Sequence, residues 1–414
     1  MPEIVELIAP QSPLNGTIQL PASKSISNRI MILEAISNGV VKGIGYSDAD
    51  DTVNLSQCLS TLKPSMNVGS GGTTLRFLLA FLSAKPGYVG EIYGSERLME
   101  RPIEPLIRAL NDLGGDVSIV QSNGEKRIRI VGRQLLGGKI QLSRSESSQF
   151  ASALLLVAPA MKLPLELELP DEFPSSKYLD MTIQLMVDCG FDVSKKNQVV
   201  YVNPLVPQAV IKYEIEKDWS AASYWFGLVS LLPKSNLVLP GLKMISTQAD
   251  SIIIQLFNLL GVESSFVSGV LHIKHSDCRT EQLGIDVADF PDLFPTIAVV
   301  CSGLRLKCMF TGLVTLRVKE SDRVQAICTE LLKLNVKTEL IAEDLLVMDA
   351  RKLKIEKTVI FETYDDHRIA MACSILCASI WKVVIRDPYV VSKSYPGFWT
   401  DLFSVGLSVT EFDS

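Results

Sequence analysis

The stretch LRVKESDRV, residues 316–324, has the residue types that most directly suggest chemistry. Five of the seven residues from Arg317 to Arg323 are charged, and both signs are interleaved between apolar flanks. A run of this kind is usually the solvated start of a helix with internal ion pairs. The same residues could instead hold an anionic ligand beside a carboxylate that exchanges protons. Taken alone, the stretch leaves both interpretations open.

Other basic residues stand beside turns rich in Ser, Thr or Gly, and these are Lys24, Arg29, Arg76, Arg101, Arg368 and Lys393. Cations next to such turns are typical of sites that bind phosphate or carboxylate. In a chain of net charge −6, their clustering predicts a substrate that carries such groups. For any one of them, a surface ion pair is the alternative.

Composition argues against several other functions. The net charge of −6 disfavours nucleic acid or an anionic membrane as a partner. The longest weakly polar run, residues 369–381, is shorter than the roughly 18–20 residues of a membrane span. The first ten residues lack the regions of a signal peptide, and the eight cysteines form no CxxC pair, so we expect a cytoplasmic protein. The three histidines lack neighbours at metal-ligand spacing, so no metal or cofactor is expected.

The elements that would position the charged residues form a repeat. Six segments begin with small, polar or acidic residues that are followed at once by an apolar run, and they start at Ser23, Ser70, Ser147, Asp218, Asp289 and Asp365. The openings are typical of helix N-caps, and the apolar runs predict helices buried on most sides. Helix N-termini that open at a shared cleft would offer free N–H groups and a positive dipole end to an anion.

Helices with a clearer polar face follow, as in residues 103–115, 251–262 and 323–336. Short alternating or β-branched runs come after each of them and predict strands. The repeating unit is thus a buried helix, a strand, an amphipathic helix and a strand pair, about six times over. At 414 residues the chain is too long for one core, so two domains of three units each are predicted.

A family resemblance rests on motifs that recur in a fixed order. These are ASKSISNR (22–29), GSGGTTLRF (69–77), ERPI (100–103), SSQFASALL (147–155), SSKYLD (175–180), FPDLFPTIA (290–298), LRVKESDR (316–323), YDDHRIAMA (364–372) and SKSYPGFW (392–399). In this order the chain resembles the 5-enolpyruvylshikimate-3-phosphate synthases from about Ser23 to Trp399. The resemblance implies an α/β fold of two similar domains, each of three βαβαββ repeats with buried helices, known as the enolpyruvyl transferase inside-out α/β barrel.

The resemblance also implies domain boundaries and an activity. Residues 23–217 would form an N-terminal-type domain, and residues 1–22 with 218–414 a discontinuous C-terminal-type domain, with the active site in the interdomain cleft. The implied reaction joins the enolpyruvyl group of phosphoenolpyruvate to the 5-hydroxyl of shikimate 3-phosphate and releases phosphate. This is a step of the shikimate pathway toward chorismate and the aromatic amino acids. A monomer is expected, and the herbicide glyphosate is the expected inhibitor.

Family positions carry over residue by residue. The phosphoenolpyruvate positions are Lys24, Gly72, Arg101, Gln149, Arg323, Arg368 and Lys393. The shikimate 3-phosphate positions are Ser25, Arg29, Ser147, Ser148, Ser175, Tyr178, Asp292 and Lys319. Thr73, Arg76 and Thr315 are further substrate-binding positions, and the catalytic set is Asp292 and Glu320 as the acid–base pair with Lys24 and Lys319. In the opening stretch, Arg317 and Asp322 would then stabilise the turn rather than face the ligand.

The chain departs from the family at a few positions. Ser70 and Thr315 stand where Asn is common, and both keep a hydroxyl, while Lys177 replaces a common Pro. Gly72 is the residue type associated with glyphosate sensitivity, and sensitivity is predicted here.

Two other functions stay open at this point. One is the related transferase that acts on UDP-N-acetylglucosamine, although residues 90–100 lack the reactive cysteine expected of that enzyme. The other is an inactive relative that binds an anionic metabolite, although Lys24, Asp292 and Glu320 are all present.

Overall fold

The computed structural model describes residues 3–122, 124–143, 147–171, 173, 175–354 and 357–412. Contacts between residues divide the chain into two compact units. Unit 1 consists of Met1–Pro21 and Glu216–Ser414, and unit 2 of Ala22–Ile215. Each unit has its own apolar core.

The strands and helices alternate along the chain. The strands are β1 (Ile4–Ile8), β2 (Asn15–Thr17), β3 (Val41–Ile44), β4 (Ser65–Asn67), β5 (Val89–Tyr93), β6 (Asp116–Ser122), β7 (Glu125–Val131), β8 (Gly138–Gln141), β9 (Leu165–Glu168), β10 (Val193–Lys196), β11 (Val199–Val202), β12 (Ile211–Glu214), β13 (Asn236–Leu239), β14 (Leu260–Val267), β15 (Val270–Arg279), β16 (Gln282–Asp286), β17 (Lys307–Thr311), β18 (Lys337–Ala342), β19 (Leu345–Asp349), β20 (Thr358–Phe361), β21 (Lys382–Arg386) and β22 (Ser408–Phe412). The helices are α1 (Lys24–Ile36), α2 (Asp50–Thr61), α3 (Gly72–Ser83), α4 (Glu96–Glu100), α5 (Glu104–Asp112), α6 (Ser148–Val157), α7 (Ser176–Asp188), α8 (Trp219–Leu231), α9 (Ile253–Asn258), α10 (Phe294–Gly303), α11 (Arg323–Leu332), α12 (His367–Ser374) and α13 (Phe398–Ser404).

One sheet topology recurs in both units. Two strands pair in parallel, and two more continue the sheet as an antiparallel pair. Unit 2 has the orders β4-β5-β7-β6 and β10-β11-β9-β8, and unit 1 has β14-β15-β13-β2, β16-β17-β19-β18 and β20-β21-β1-β22. Within the described ranges, the remaining sheet of unit 2 is only the parallel pair β12-β3. The predicted α/β fold of repeated units is confirmed.

The predicted buried helices are present. In unit 2 they are α1, α3 and α6, which pack on one another, and in unit 1 α10 packs on both α8 and α12. Side chains at the predicted openings cap four of them: Ser23 for α1, Ser147 for α6, Asp218 for α8 and Asp366 for α12. Each cap satisfies a backbone N–H that the first helical turn leaves without a partner.

The segment 251–262 differs from its prediction. The helix α9 covers only Ile253–Asn258, and strand β14 begins at Leu260. Gly261 has φ +85, which a helix cannot contain, and the β14–β15 pairing shifts register there. Leu260 and Val262 are buried in the strand as they would be in a helix. An apolar run of this length fits strand as well as helix periodicity, so its pattern alone does not separate the two.

Candidate active site

A cluster of charged side chains in unit 1 is centred on Arg323, which is 1% exposed. Its Nη1 donates to Asp292 Oδ1 at 2.8 Å, its Nη2 to Glu320 Oε2 at 2.8 Å, and its Nε to Asp366 Oδ2 at 2.8 Å. Arg368 completes the cluster, since its Nη2 donates to Asp292 Oδ2 at 2.7 Å. A buried guanidinium group needs such charged acceptors to offset its desolvation. Three predicted site residues therefore converge with Arg323.

Helix starts position this cluster. Asp292 lies in the 3-10 turn Pro291–Leu293 just before α10, Arg323 is the first residue of α11, and Arg368 is in the first turn of α12. Asp366 accepts from the Arg368 backbone N at 2.9 Å while it also holds Arg323, so one carboxylate caps α12 and joins it to α11. The family resemblance assigns no role to Asp366, although its place directly before an apolar helix is the sequence signal for a cap.

The electrostatics keep Asp292 ionised. Burial alone would raise the pKa of Asp292, but the charges of Arg368, Lys319 and Arg323 lower it by more, so the pKa lies well below the usual range of a carboxyl group. Arg323 has the opposite balance: burial lowers the pKa, and Asp366, Glu320 and Asp292 raise it above its ordinary value. At neutral pH the site thus holds a fixed carboxylate among fixed cations.

The other predicted residues of unit 1 lie around this cluster. Lys319 directly precedes Glu320, and both are half-buried. Lys393 donates to the Asp365 carbonyl oxygen at 2.7 Å and to its carboxylate, next to the start of α12. Thr315 lies in the 3-10 segment Val314–Val318, and within the described residues its buried Oγ1 has no hydrogen-bond partner.

The two residues assigned to turns behave in different ways. Asp322 caps α11 by accepting from Gln325 N at 3.0 Å, which confirms its predicted role. Arg317 instead donates to the carbonyl oxygen of Glu343 at 3.1 Å, so it stabilises the turn between β18 and β19 rather than its own.

Behind the cluster are polar residues that sequence analysis missed. Asp250 is 3% exposed and accepts a hydrogen bond from Ser220, while Tyr224, one helical turn further along α8, is 1% exposed. Burial, followed by the charge of Asp292, raises the pKa of Asp250 to about 7, against the lowering effect of Arg368. Burial also raises the pKa of Tyr224. Only tertiary packing brings residues 220–250 close to residue 292, so the sequence offered no signal.

Unit 2 contains a second group of predicted residues at the starts of α1 and α3. Lys24 Nζ lies 2.9 Å from Asp51 Oδ2, in α2. Gly72 begins α3 between two guanidinium groups: a Cβ atom there would lie 2.7 Å from Arg101 Nη1 and 2.8 Å from Arg76 Nη1. Arg76 Nη1 also donates to the Gly72 carbonyl oxygen at 3.0 Å. The missing side chain of Gly72 is what lets both cations approach the helix start.

The start of α6 joins this group. Gln149 Nε2 donates to Thr73 Oγ1 at 3.4 Å, which connects the first turns of α6 and α3. Within the described residues, the buried Gln149 Oε1 has no donor. Ser147 caps α6, and Ser148, the first residue of α6, is 7% exposed. These hydroxyl and amide groups lie close to Arg76, whose guanidinium carbon is 5.3 Å from the centre of the Phe150 ring.

The guanidinium group of Arg29 donates hydrogen bonds to neighbouring residues of unit 2. Arg29 is 2% exposed, its Nε donates to Thr182 Oγ1 at 2.7 Å, and its Nη1 donates to the Ser25 carbonyl oxygen at 2.8 Å. Its Nη2 donates to the carbonyl oxygen of Tyr178 at 3.3 Å, and burial lowers the pKa of Arg29 to about 10. Arg29 therefore joins Ser25 on α1 to Tyr178 on α7. Ser175, which precedes α7, has φ +55 and is 5% exposed.

Three positions at which the chain departs from the family lie near these groups. Ser70 and Thr315 are half-buried, whereas Lys177 is exposed on α7. Nothing in the structure explains the choice of Lys177.

The two groups could hold anions and exchange protons. Each combines arginine and lysine side chains with helix starts, and the unit 1 group adds the carboxylates Asp292 and Glu320. Among the described residues, no three or more His, Cys, Asp or Glu side chains are grouped so that they could hold a metal ion. No helix in the described ranges is long and apolar enough to cross a membrane.

Comparisons with known proteins agree with one another. The family model of EPSP synthase (3-phosphoshikimate 1-carboxyvinyltransferase) matches residues 8–67 and 63–402. A 3-phosphoshikimate 1-carboxyvinyltransferase of Bacteroides fragilis is 39% identical over 97% of this chain and 98% of its own. A 3-phosphoshikimate 1-carboxyvinyltransferase of Haemophilus influenzae is 30% identical over 97% of this chain and 98% of its own.

Solved structures share the fold. An EPSP synthase structure from Acinetobacter baumannii superimposes with a TM-score of 0.75 at 19% identity, covering 99% of this chain and 100% of that one. The structure of the enolpyruvyl transferase NikO from Streptomyces tendae superimposes with a TM-score of 0.76 at 13% identity, covering 100% of both chains.

Proposed function

The chain belongs to the EPSP synthase family and is a 3-phosphoshikimate 1-carboxyvinyltransferase, and we propose that the two groups of residues described above hold and convert its substrates. The family uses phosphoenolpyruvate and shikimate 3-phosphate. The enolpyruvyl group passes to the 5-hydroxyl of shikimate 3-phosphate, and phosphate leaves. The observation that carries the residue assignment is the pair of arginines, Arg323 and Arg368, that share the two oxygens of Asp292.

Phosphoenolpyruvate needs fixed positive charge for its carboxylate and phosphate. We assign this to Arg101 and Lys24 of unit 2 and to Arg323, Arg368 and Lys393 of unit 1. Gly72 gives the ligand access to the α3 start, and Gln149, Thr73 and Arg76 line the same place. Because these cations are already held by the protein, little reorganisation is needed when charge develops.

Shikimate 3-phosphate would be held mainly by unit 2. Ser25, Ser147, Ser148 and Ser175 would give hydroxyl groups to phosphate and ring oxygens, with Tyr178 beside them. Arg29, with its bonds to Ser25 and Tyr178, would keep α1 and α7 in position as well as add positive charge. Thr315 and Lys319 would complete the site from unit 1. Residues of both units, which we take as the two domains, then act on the same pair of substrates.

The reaction needs proton exchange at two places. The 5-hydroxyl loses a proton as its oxygen attacks C2 of phosphoenolpyruvate, while C3 gains one. The tetrahedral adduct then loses phosphate as C3 gives a proton back. We assign the hydroxyl to Asp292 and the C3 proton to Glu320, with Lys24 and Lys319 as charged partners. An anion that engages Arg368 weakens its hold on Asp292 and so raises the pKa of Asp292 toward that of a useful base.

Three further properties belong to the proposal. The enzyme would act as a monomer. It would be inhibited by glyphosate in competition with phosphoenolpyruvate, on account of Gly72. It would work in the cytoplasm, where the eight cysteines, all free thiols in the structure, stay reduced.

Phosphate release from phosphoenolpyruvate, with and without shikimate 3-phosphate, tests the assignment. We expect release that depends on shikimate 3-phosphate and a loss of kcat of about 10²–10⁴-fold in Asp292→Asn, which removes the base but keeps the side-chain shape. Asp112→Asn, at an exposed carboxylate of α5, is the matched control and should be fully active. Release with UDP-N-acetylglucosamine alone would identify the related transferase, and no release with either acceptor would identify an inactive relative. Full activity of Asp292→Asn would overturn the role of Asp292.

A further inference from the structure

A basic cavity of about 500 Å³ opens in unit 1 where β16 and β17 begin. Its charged lining consists of Arg279, Glu281, Arg305, Lys307 and Arg351. Leu304 and Leu306, both nearly buried, add apolar walls. None of these residues has a role in the proposed reaction.

The basic cavity is separate from the Asp292 cluster. Asp292 stands just before the first residue of α10, whereas Leu304–Lys307 directly follow its last residue, Gly303. A helix of ten residues is roughly 15 Å long, so the two places lie at opposite ends of α10.

The charges of the basic cavity do not cancel. Asp349 accepts from Arg351 Nε at 2.9 Å and Nη2 at 2.6 Å, so this pair is neutral. Arg305 Nη1 donates to the Leu353 carbonyl oxygen at 2.8 Å, which leaves its charge uncompensated. Within the described part of the chain, neither Arg279 nor Lys307 has a carboxylate within ion-pair distance, although Lys307 lies opposite Asp349 in the β17–β19 register and helps to lower the pKa of that carboxyl group. The lining thus contains four cations and one carboxylate, Glu281, and Asp349 is bound to Arg351 beside it, in a chain whose net charge is −6.

A simpler account is that these cations only complement the negative end of the α10 dipole. That account does not explain Arg305, which has φ +61 at the position after a helix where glycine is preferred. A non-glycine residue is less stable in this conformation than glycine is. Arg279, Lys307 and Arg351 also come from three different strand ends rather than from the helix.

We propose that the basic cavity binds a small polyanionic metabolite with phosphate or carboxylate groups. Its volume lies within the range of small-molecule sites, roughly 300–1,000 Å³. Arg279 and Arg305 supply charge that no neighbouring carboxylate compensates, Lys307 adds a cation opposite Asp349, and the Arg351–Asp349 pair fixes one wall. The cations are exposed, so binding weakens as salt concentration rises.

Methionine NMR of the full-length enzyme gives a local test. Met309 lies on β17 two residues after Lys307 and therefore on the same face of the strand, and it is 49% exposed. With [¹³C-methyl]methionine labelling, Met309→Leu identifies its signal, and inorganic pyrophosphate is the probe at constant ionic strength. We expect a saturable shift of the Met309 signal in the unaltered chain and an at least tenfold weaker Kd in Arg279→Gln/Lys307→Gln.

The control is Lys212→Gln/Lys274→Gln, which removes two exposed lysines elsewhere and should bind like the unaltered chain. Pyrophosphate that binds only at the Asp292 cluster shifts other methionines and leaves Met309 in place, and this result overturns the proposal. Equal affinity in Arg279→Gln/Lys307→Gln, or the same shift with sodium chloride, overturns it as well.

Discussion

At Gly72, the lack of a side chain leaves space for two guanidinium groups at the start of α3. A methyl group in Gly72→Ala would lie 2.7 Å from Arg101 Nη1 and 2.8 Å from Arg76 Nη1. Both atoms are at the ends of flexible side chains, so the cations move and the helix stays. We expect KM for phosphoenolpyruvate to rise about tenfold, the equivalent of about 1.4 kcal/mol of lost binding, with little loss of stability.

Steady-state kinetics with each substrate varied measures this effect. Gly284→Ala in β16 is the matched control, because a Cβ atom there meets nothing within 4 Å. If KM for phosphoenolpyruvate stays the same in Gly72→Ala, the two arginines do not hold that substrate.

Asp250 should make stability depend on pH. Its folded-state pKa of about 7 lies above the ordinary value of 3.8, because burial and Asp292 disfavour its charged form. Between these two values the folded chain keeps the proton and the unfolded chain does not, so the stabilisation present at low pH is lost as pH rises to about 7. The free energy of unfolding should fall by on the order of 1 kcal/mol per pH unit from this residue alone.

Urea unfolding at pH 5 and pH 8 tests this, with Asp250→Asn as the variant that cannot ionise. The difference in unfolding free energy between the two pH values should be smaller in Asp250→Asn than in the unaltered chain. Asp112→Asn should leave that difference unchanged. The same pH dependence in all three chains would mean that Asp250 is already ionised at pH 5.

At the scale of elements, two helix caps should contribute differently to the unfolding free energy. Asp322 caps α11 at a half-buried position, so Asp322→Ala should cost about 1 kcal/mol of unfolding free energy. Asp366 caps α12 but is fully buried and also accepts from Arg323 and Ser321. Asp366→Ala leaves the buried Arg323 with fewer acceptors and should cost about 3–5 kcal/mol.

Thermal or urea unfolding of both variants measures the difference. Asp366→Asn keeps a capping oxygen but not the charge. Its loss of unfolding free energy should lie between those of Asp322→Ala and Asp366→Ala. If Asp322→Ala and Asp366→Ala are destabilised equally, Asp366 acts as a cap alone.

Much of this element structure could be predicted from the sequence. Local signals, such as Ser, Asp or Gly before an apolar run, identify the buried helices and several of the charged residues on them. Partners such as Asp51 for Lys24 or Asp366 for Arg323 could not be predicted, because these contacts join residues far apart in sequence. The boundary between α9 and β14 depended on one glycine conformation inside an apolar run.

On the scale of the whole molecule, unit 2 is a continuous segment inserted into a discontinuous unit 1. Its core and its sheets are made within residues 22–215, and β12 at its end returns to pair with β3 near its start. In unit 1, Asp218 N donates to the Pro21 carbonyl oxygen at 3.0 Å, so the two chain ends left by removal of unit 2 are adjacent. A segment that satisfies its own backbone and buries its own core should fold alone.

We therefore expect residues 22–215, expressed alone, to unfold cooperatively in urea. Because most of the proposed shikimate 3-phosphate contacts lie in unit 2, this fragment should bind that substrate by calorimetry, yet release no phosphate from phosphoenolpyruvate without Asp292 and Glu320. A shorter fragment, residues 22–209, lacks β12 and leaves β3 without its parallel partner, so it should be clearly less stable. If the longer fragment unfolds cooperatively but does not bind shikimate 3-phosphate, the residues that bind this substrate lie mainly in unit 1. A longer fragment that does not fold would show that unit 2 depends on unit 1 for its structure.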